Sequence, residues 1–190
     1  MYPCAKRWLL RLKKFLISLT AVLAILLTVC TIGGAAVLRA YPTDYRQTAS
    51  AYHADWRLVL SLIKAESGFR ADATSNAGAC GLMQILPSTA EFIARRNGIE
   101  DYDLYDAQDN IRLGCLYLQY LEGRFADRTA VLAAYNAGEG TVRQWLKRED
   151  CSPDGIRLFY IPYSETEQYV KKIEKYYSNY RKIYLTNDSK

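Results

Sequence analysis

Phe15 to Leu38 is an uncharged, largely apolar run of 24 residues, and it limits the folding of this chain more sharply than any other stretch. As a helix it spans roughly 36 Å at about 1.5 Å per residue, enough to cross a hydrocarbon core of about 30 Å. Residues 1–14 carry Lys6, Arg7, Arg11, Lys13 and Lys14 and no acid. That asymmetry predicts a basic cytoplasmic tail over 1–14, a single-pass transmembrane anchor over 15–38, and the rest of the chain outside the cytoplasm. A cleaved signal peptide is the competing reading, because Val37-Leu38-Arg39-Ala40 offers small residues to a peptidase. The run is longer than the roughly 7–15 residues of a signal core, which favours the anchor. Leu27-Thr28-Val29-Cys30 faintly resembles a lipoprotein cleavage site, but Val29 is bulky just before the cysteine. Residues 39–43 read as a linker, with Pro42 as breaker.

The N-terminal tail also accounts for the chain's charge. Without its five basic residues the 25 Lys and Arg fall to 20, which the 20 Asp and Glu balance. The folded part is therefore neutral, and no nucleic-acid partner is expected. Cys80, Cys115 and Cys151 fall on the side where disulfides form, with Cys80–Cys115 one possible pair and buried free thiols the alternative. His53 is the only histidine and no spacing resembles a zinc site, so neither a metal nor another cofactor is called for.

From residue 44 to residue 186 the pattern is one mainly α domain, followed by a polar tail at 187–190. A first helix fits Asp44 to about His53, and Asp55 caps the next. Pro87 leads into Ser88-Thr89-Ala90-Glu91, a capping box, for a helix to about Arg96, stopped at Asn97-Gly98. Asp109 is placed to cap a helix carrying Ile111, Cys115, Leu118 and Leu121. Asp127 or Thr129 starts another, which ends near Asn136-Ala137-Gly138, and a short helix fits Thr141 to Lys147. Pro153-Asp154-Gly155 is a turn. Ser164-Glu165-Thr166-Glu167 is a second capping box, opening a helix with the tyrosine stripe Tyr169, Tyr176, Tyr177, Tyr180 and Tyr184. No alternating strand pattern of useful length occurs.

Within this pattern Glu66 is out of place. Val59, Leu62 and Ile63 lie seven, four and three residues before it, so an acid continues an apolar helix face. Gly68 then stops the helix and leaves Glu66 in the last turn. Loss of water and the negative end of the helix dipole both disfavour its ionised form. A carboxyl so placed suits a general acid near neutral pH. On periodicity alone, a helix-end residue swung into solvent is the plainer reading.

Four segments in order then carry a resemblance. Glu66-Ser67-Gly68-Phe69 matches an E-S-x-F motif, and Gly81-Leu82-Met83-Gln84-Ile85-Leu86-Pro87-Ser88-Thr89 matches G-L-M-Q-x-x-P-x-T. Ala134-Tyr135-Asn136-Ala137-Gly138 matches A-Y-N-A-G, and residues 161–170 look like I-P-x-x-E-T-x-x-Y-V. Over roughly Tyr45 to Tyr184 the chain resembles the soluble-lytic-transglycosylase type of catalytic domain, which has a lysozyme-like fold. The resemblance implies cleavage, without water, of the β-1,4 bond between N-acetylmuramic acid and N-acetylglucosamine in peptidoglycan, leaving a 1,6-anhydro ring. Glu66 aligns with the family's single acid/base. Ser75 aligns with a serine near that glutamate, Met83, Gln84, Tyr135 and Asn136 with groove residues that meet the sugar, and Tyr169 with a tyrosine facing the glutamate. Glu167 departs from the pattern, standing where many relatives carry arginine.

The expected partners are therefore peptidoglycan glycan strands, the bacterial cell membrane, and an envelope or secretion complex that such an enzyme would serve. A lysozyme-type hydrolase on the same fold, and a glycan-binding subunit in which cutting is dispensable, are the alternatives.

Overall fold

The structure, a computed structural model, describes the backbone of residues 3–184 and the side chains of Thr20 and residues 22–184. The polar tail expected at 187–190 and the basic side chains expected before Phe15 lie outside the described residues. The chain divides into two compact units, Met1–Pro42 and Thr43–Lys190.

The first unit is a single helix, α1 (Pro3–Ala40). Its segment Val22–Ala40 is long and apolar enough to cross a membrane by length and composition. The hydroxyls along it are satisfied within the helix. Thr28 Oγ1 donates to the Ala24 carbonyl at 2.8 Å and Thr31 Oγ1 to the Thr28 carbonyl at 2.9 Å. Neither hydroxyl then needs water, as an apolar surrounding requires.

The second unit consists of α2 (Arg46–Tyr52), α3 (Trp56–Glu66), α4 (Pro87–Arg96), α5 (Ala107–Glu122), α6 (Arg128–Ala137), α7 (Glu139–Trp145) and α8 (Ser164–Ile183). Among the described residues its only β pairing is two isolated bridges, Thr74–Cys80 and Cys80–Ile85. The core is aliphatic: Leu58, Val59, Leu60, Leu62 and Ile63 of α3 pack with Ile93, Ile111, Leu118, Leu132 and Ile173. Burying side chains of this kind contributes about 1.5–3 kcal/mol each. Cys80, Cys115 and Cys151 are buried free thiols, so the possible Cys80–Cys115 disulfide is absent.

Helix α8 lies antiparallel along α3 and holds it at both ends. At the start of α3, Asp55 Oδ1 accepts from the Arg57 and Leu58 amides, as an N-cap does. Its other oxygen accepts from the Tyr177 hydroxyl at 2.5 Å. At the far end, Lys172 Nζ donates to the Ala65 carbonyl at 2.8 Å, satisfying a group that α3 leaves open at its terminus. Tyr180, fully buried, sets its ring edge-on to Trp56 at 6.4 Å. Most of the tyrosine stripe is thus packing, with Tyr169 the exception described below.

Several helix starts differ from the sequence expectation. Arg46, rather than Asp44, opens α2, and Tyr45 is its uncapped N-cap residue. The capping box at Ser88 does not form, because α4 begins at Pro87, whose fixed φ and missing N–H suit a first turn. Asp106 caps α5 in place of Asp109, which instead accepts from the Asp103 amide at 3.0 Å. The second capping box fails too. Ser164 is the first residue of α8, not its cap, and Glu167 pairs with Lys171 at 2.7 Å. Asp127, one of the two expected starts, caps α6.

Asp55→Ala removes the cap of α3 and its bond to α8 together. The expected loss is about 2 kcal/mol of unfolding free energy, read by chemical denaturation against the parent chain.

Candidate active site

Glu66 is the last residue of α3, and the burial of Val59, Leu62 and Ile63 fixes which way it points. The helix stops abruptly after it. Gly68 has φ +61 and Phe69 φ +70, two consecutive left-handed residues, the second of which is not glycine. Phe69 is held there by stacking on Tyr45, with ring centroids 6.4 Å apart and planes 5° from parallel. Ser67, buried beside it, donates to the Leu82 carbonyl at 2.8 Å and so ties the end of α3 to the G-L-M-Q segment.

That segment is a tight turn built around one amide. Asn110 of α5 donates to the carbonyls of Cys80 at 2.9 Å and Leu104 at 2.8 Å, and accepts from the Met83 amide at 2.8 Å. Gly81 passes so close that a Cβ there would stand 2.3 Å from both Asn110 Nδ2 and the Leu104 oxygen. The motif's glycine is therefore a requirement of space as well as of backbone angle. Gln84 sits at φ +48, and its amide donates to the carbonyls of Ala73 and Gly81, bracing the loop from inside.

Around Glu66 opens a cleft of about 490 Å³, lined by Ser75, Gln84, Tyr135 and Asn136 among others. The structure thus brings four of the expected binding residues to the carboxyl. Tyr169 joins them from α8, its hydroxyl donating to Glu66 Oε1. Met83 is a correction. Its side chain is fully buried and packs where any Cβ on Gly114 would fall, so it presents no surface to the cleft. Only its carbonyl bears on the site, by accepting from the Tyr135 hydroxyl at 3.0 Å. Ser75 lines the cleft but makes no bond to Glu66, and its Oγ accepts from the Ala79 amide within its own loop. Asn136 is exposed, with its Oδ1 accepting from buried Thr166 at 2.7 Å.

Burial raises the Glu66 carboxyl to about 7, and the Tyr169 hydrogen bond and the Lys172 charge offset only part of that rise. The group is therefore an acid divided between its two forms near neutral pH. Burial also drives the Tyr135 and Tyr169 hydroxyls well above their ordinary range, with the nearby Glu66 charge adding to it. Both phenols consequently remain hydrogen-bond donors.

Three contributors escape a reading of the sequence. Asn110 lies outside every motif and meets the turn only through the fold. Lys172 follows Tyr169 by three residues and so shares its helix face, a clue that periodicity offers. Glu165, which spacing presents as part of a capping box, lines the cleft as a second carboxyl.

Comparison with known proteins follows the same lines. The transglycosylase SLT domain family matches residues 45–155. The soluble lytic murein transglycosylase of Salmonella typhimurium is 38% identical over 128 residues, which are 64% of this chain and 20% of that protein. The membrane-bound lytic murein transglycosylase C of Actinobacillus pleuropneumoniae is 33% identical over 170 residues, 76% of this chain and 47% of that one. The chain thus spans between about a fifth and a half of the length of these relatives. The crystal structure of the 70 kDa soluble lytic transglycosylase from Escherichia coli superposes with a TM-score of 0.69 at 32% identity, covering 77% of this chain and 25% of that one. The mainly helical, lysozyme-like class expected from the sequence is the one found.

A raised carboxyl pKa ties stability to pH. Between the ordinary value of 4.5 and about 7 the folded chain holds a proton on Glu66 that the unfolded chain has lost. This group's contribution therefore weakens as pH rises through that window. Glu66→Gln, which cannot ionise, should gain stability over the parent at pH 8 by on the order of 2 kcal/mol and by almost nothing at pH 4. Thermal unfolding of both chains at the two pH values checks this.

Proposed function

The chain belongs to the transglycosylase SLT domain family, and on that premise we propose that it is a membrane-anchored lytic transglycosylase of peptidoglycan. The observation that carries the reading is the Glu66 carboxyl, half-buried in an open cleft and hydrogen-bonded by Tyr169. With Oε1 accepting from Tyr169, the acid proton belongs on Oε2. Glu66 gives this proton to the glycosidic oxygen as the bond to N-acetylmuramic acid breaks. The carboxylate so formed is stabilised by the Tyr169 hydroxyl and by the positive charge of Lys172. It then takes a proton from the sugar's own C6 hydroxyl, whose oxygen closes on C1 to give the 1,6-anhydro ring. Intramolecular attack has a large proximity advantage and needs no second catalytic carboxylate. Ser75, Gln84, Tyr135 and Asn136 line the cleft and are assigned to holding the sugars beside Glu66.

A second reading has one specific support. Glu165 brings another carboxyl to the same cleft, and a pair of carboxyls is what a hydrolase uses to activate water. The products decide between the two. Digestion of purified peptidoglycan by the full chain should yield 1,6-anhydro ends by mass spectrometry, with turnover falling as pH rises through about 7 as Glu66 loses its proton. Glu66→Gln should reduce turnover at least about 1,000-fold. Reducing ends formed from water would establish the hydrolase instead. Binding without cleavage by the parent chain would leave the glycan-binding subunit.

The anchor belongs to the same proposal. Residues 15–38 hold the enzyme in the bacterial cell membrane by a single pass, with the N-terminus cytoplasmic and the unit from Thr43 outside, beside its substrate. An envelope or secretion complex is the setting in which such an enzyme would work. A reporter fused after Tyr184 that needs an extracytoplasmic environment should be active, and its cytoplasmic counterpart silent. The reverse pattern would invert the topology.

A further inference from the structure

The cleft does not end beside Glu66. A second hollow of about 270 Å³ shares Gln84, Leu86, Tyr135 and Asn136 with it, so the two are continuous. The wall of this hollow includes Thr89 of α4 and Tyr117 of α5. One helical turn further along the same two helices, Phe92 and Tyr120 line a third hollow of about 400 Å³, together with Arg96 and Arg124. Thr89, Phe92 and Arg96 follow one another at three and four residues, and so do Tyr117, Tyr120 and Arg124. The first triplet is one face of α4, and Tyr117 and Tyr120 share a face of α5, with Arg124 in the turn just past its end. Thr89 and Tyr117 in the second hollow and Phe92 and Tyr120 in the third set the two hollows in succession along the seam of α4 and α5, a furrow whose link is the stacked pair Tyr117 and Tyr120.

The furrow carries a ladder of rings. Tyr135, which lines the Glu66 cleft, lies 5.2 Å from Tyr117, centroid to centroid. Tyr117 is stacked with Tyr120 at 6.4 Å, and Tyr120 meets Phe92 edge-on at 5.2 Å. At the far end two guanidinium groups lie over Tyr120, Arg96 at 5.5 Å and Arg124 at 5.6 Å. Glu139 is the acid of this cluster, and it is already engaged. It accepts from the Tyr120 hydroxyl at 2.6 Å, from Arg124 at 3.0 Å and from Arg143 at 2.8 Å. Two guanidinium groups and a phenol thus share one carboxylate. Arg96, exposed at the rim, has no ion-pair partner among the described residues. The structure therefore offers aromatic surface followed by a planar cation that no acid meets, in line beyond the cleft. Aromatic faces suit the apolar faces of sugar rings, and a guanidinium fork suits a carboxylate.

We propose that the α4–α5 furrow is an extended binding site for the strand that occupies the cleft, with the ring ladder carrying sugars and Arg96, supported by Arg124, binding a carboxylate of the strand's stem peptide. This rests on the peptidoglycan reading above and adds to it a preference for peptide-bearing over bare glycan. The test measures binding rather than cleavage, so it stands whichever product the enzyme makes. The full chain carrying Glu66→Gln, in detergent, is titrated with peptide-bearing glycan strands and with strands of matched length stripped of peptide by an amidase. The expected result is tighter binding of the peptide-bearing strands. Arg96→Gln on that background should reduce the preference about tenfold, the worth of one charge-assisted contact, and Arg96→Glu should abolish or reverse it. Arg96 is exposed, so both variants should fold, and circular dichroism checks that they do. An unchanged preference in the two variants, or no preference in the Glu66→Gln chain, overturns the proposal. Failure of that chain to bind either strand would instead remove the peptidoglycan reading on which the proposal rests.

Discussion

The site depends on how α3 is buried. Its face from Leu58 to Ile63 is almost without solvent contact, and the apolar burial that secures it carries Glu66 into a partly dry place at the helix end. The carboxyl does not stabilise the fold by being there. It is held there by neighbours that gain more from packing than it loses. Tyr169 and Lys172 moderate the cost without removing it, and the remainder keeps the group protonated close to neutral pH. Positions that work against local stability in this way are characteristic of functional sites.

Much of this was legible in the sequence, and the parts that were not share a cause. The helix carrying Glu66, its Asp55 cap and the helical class are all local properties, set by spacing within a turn or two. The motifs supplied the order in which Tyr135, Asn136 and Tyr169 reach the cleft. Met83 was misplaced because a motif marks a position without saying which way its side chain turns. Gly114, 31 residues later, opens the space that draws Met83 into the core. The two capping boxes failed for a comparable reason. Their spacing is correct, but Pro87 is a better first residue than Ser88 is a cap, and Ser164 lies inside α8 while Glu167 turns to Lys171. Asn110 was invisible because its three partners are backbone groups of other segments, which sequence does not distinguish.

The segment after α3 shows how irregular backbone is kept in one shape. Phe69 and Gln84 both adopt left-handed angles that side chains disfavour. Each is held by a specific contact, Phe69 by stacking on Tyr45 and Gln84 by its amide bonds to Ala73 and Gly81. The loop borders the cleft and yet leaves few of its polar groups for a ligand. Gln84 spends its amide hydrogens on the backbone, and Ser75 accepts from Ala79. The cleft residues whose polar atoms remain most open to a ligand are then Asn136 and the carboxyls of Glu66 and Glu165.

Glu66 and Tyr169 are separated by 103 residues, and Asp55 and Tyr177 by 122. The first long helix of the folded unit is therefore completed by its last. During synthesis, which proceeds from the N-terminus, Glu66 emerges early but has neither its hydroxyl donor nor its buried flank until α8 has been made and has docked. A partly made chain carries a solvated carboxylate of ordinary acidity. The raised acidity constant of Glu66 is therefore a property of the finished unit, acquired when α8 docks and not carried by the segment that bears the carboxyl.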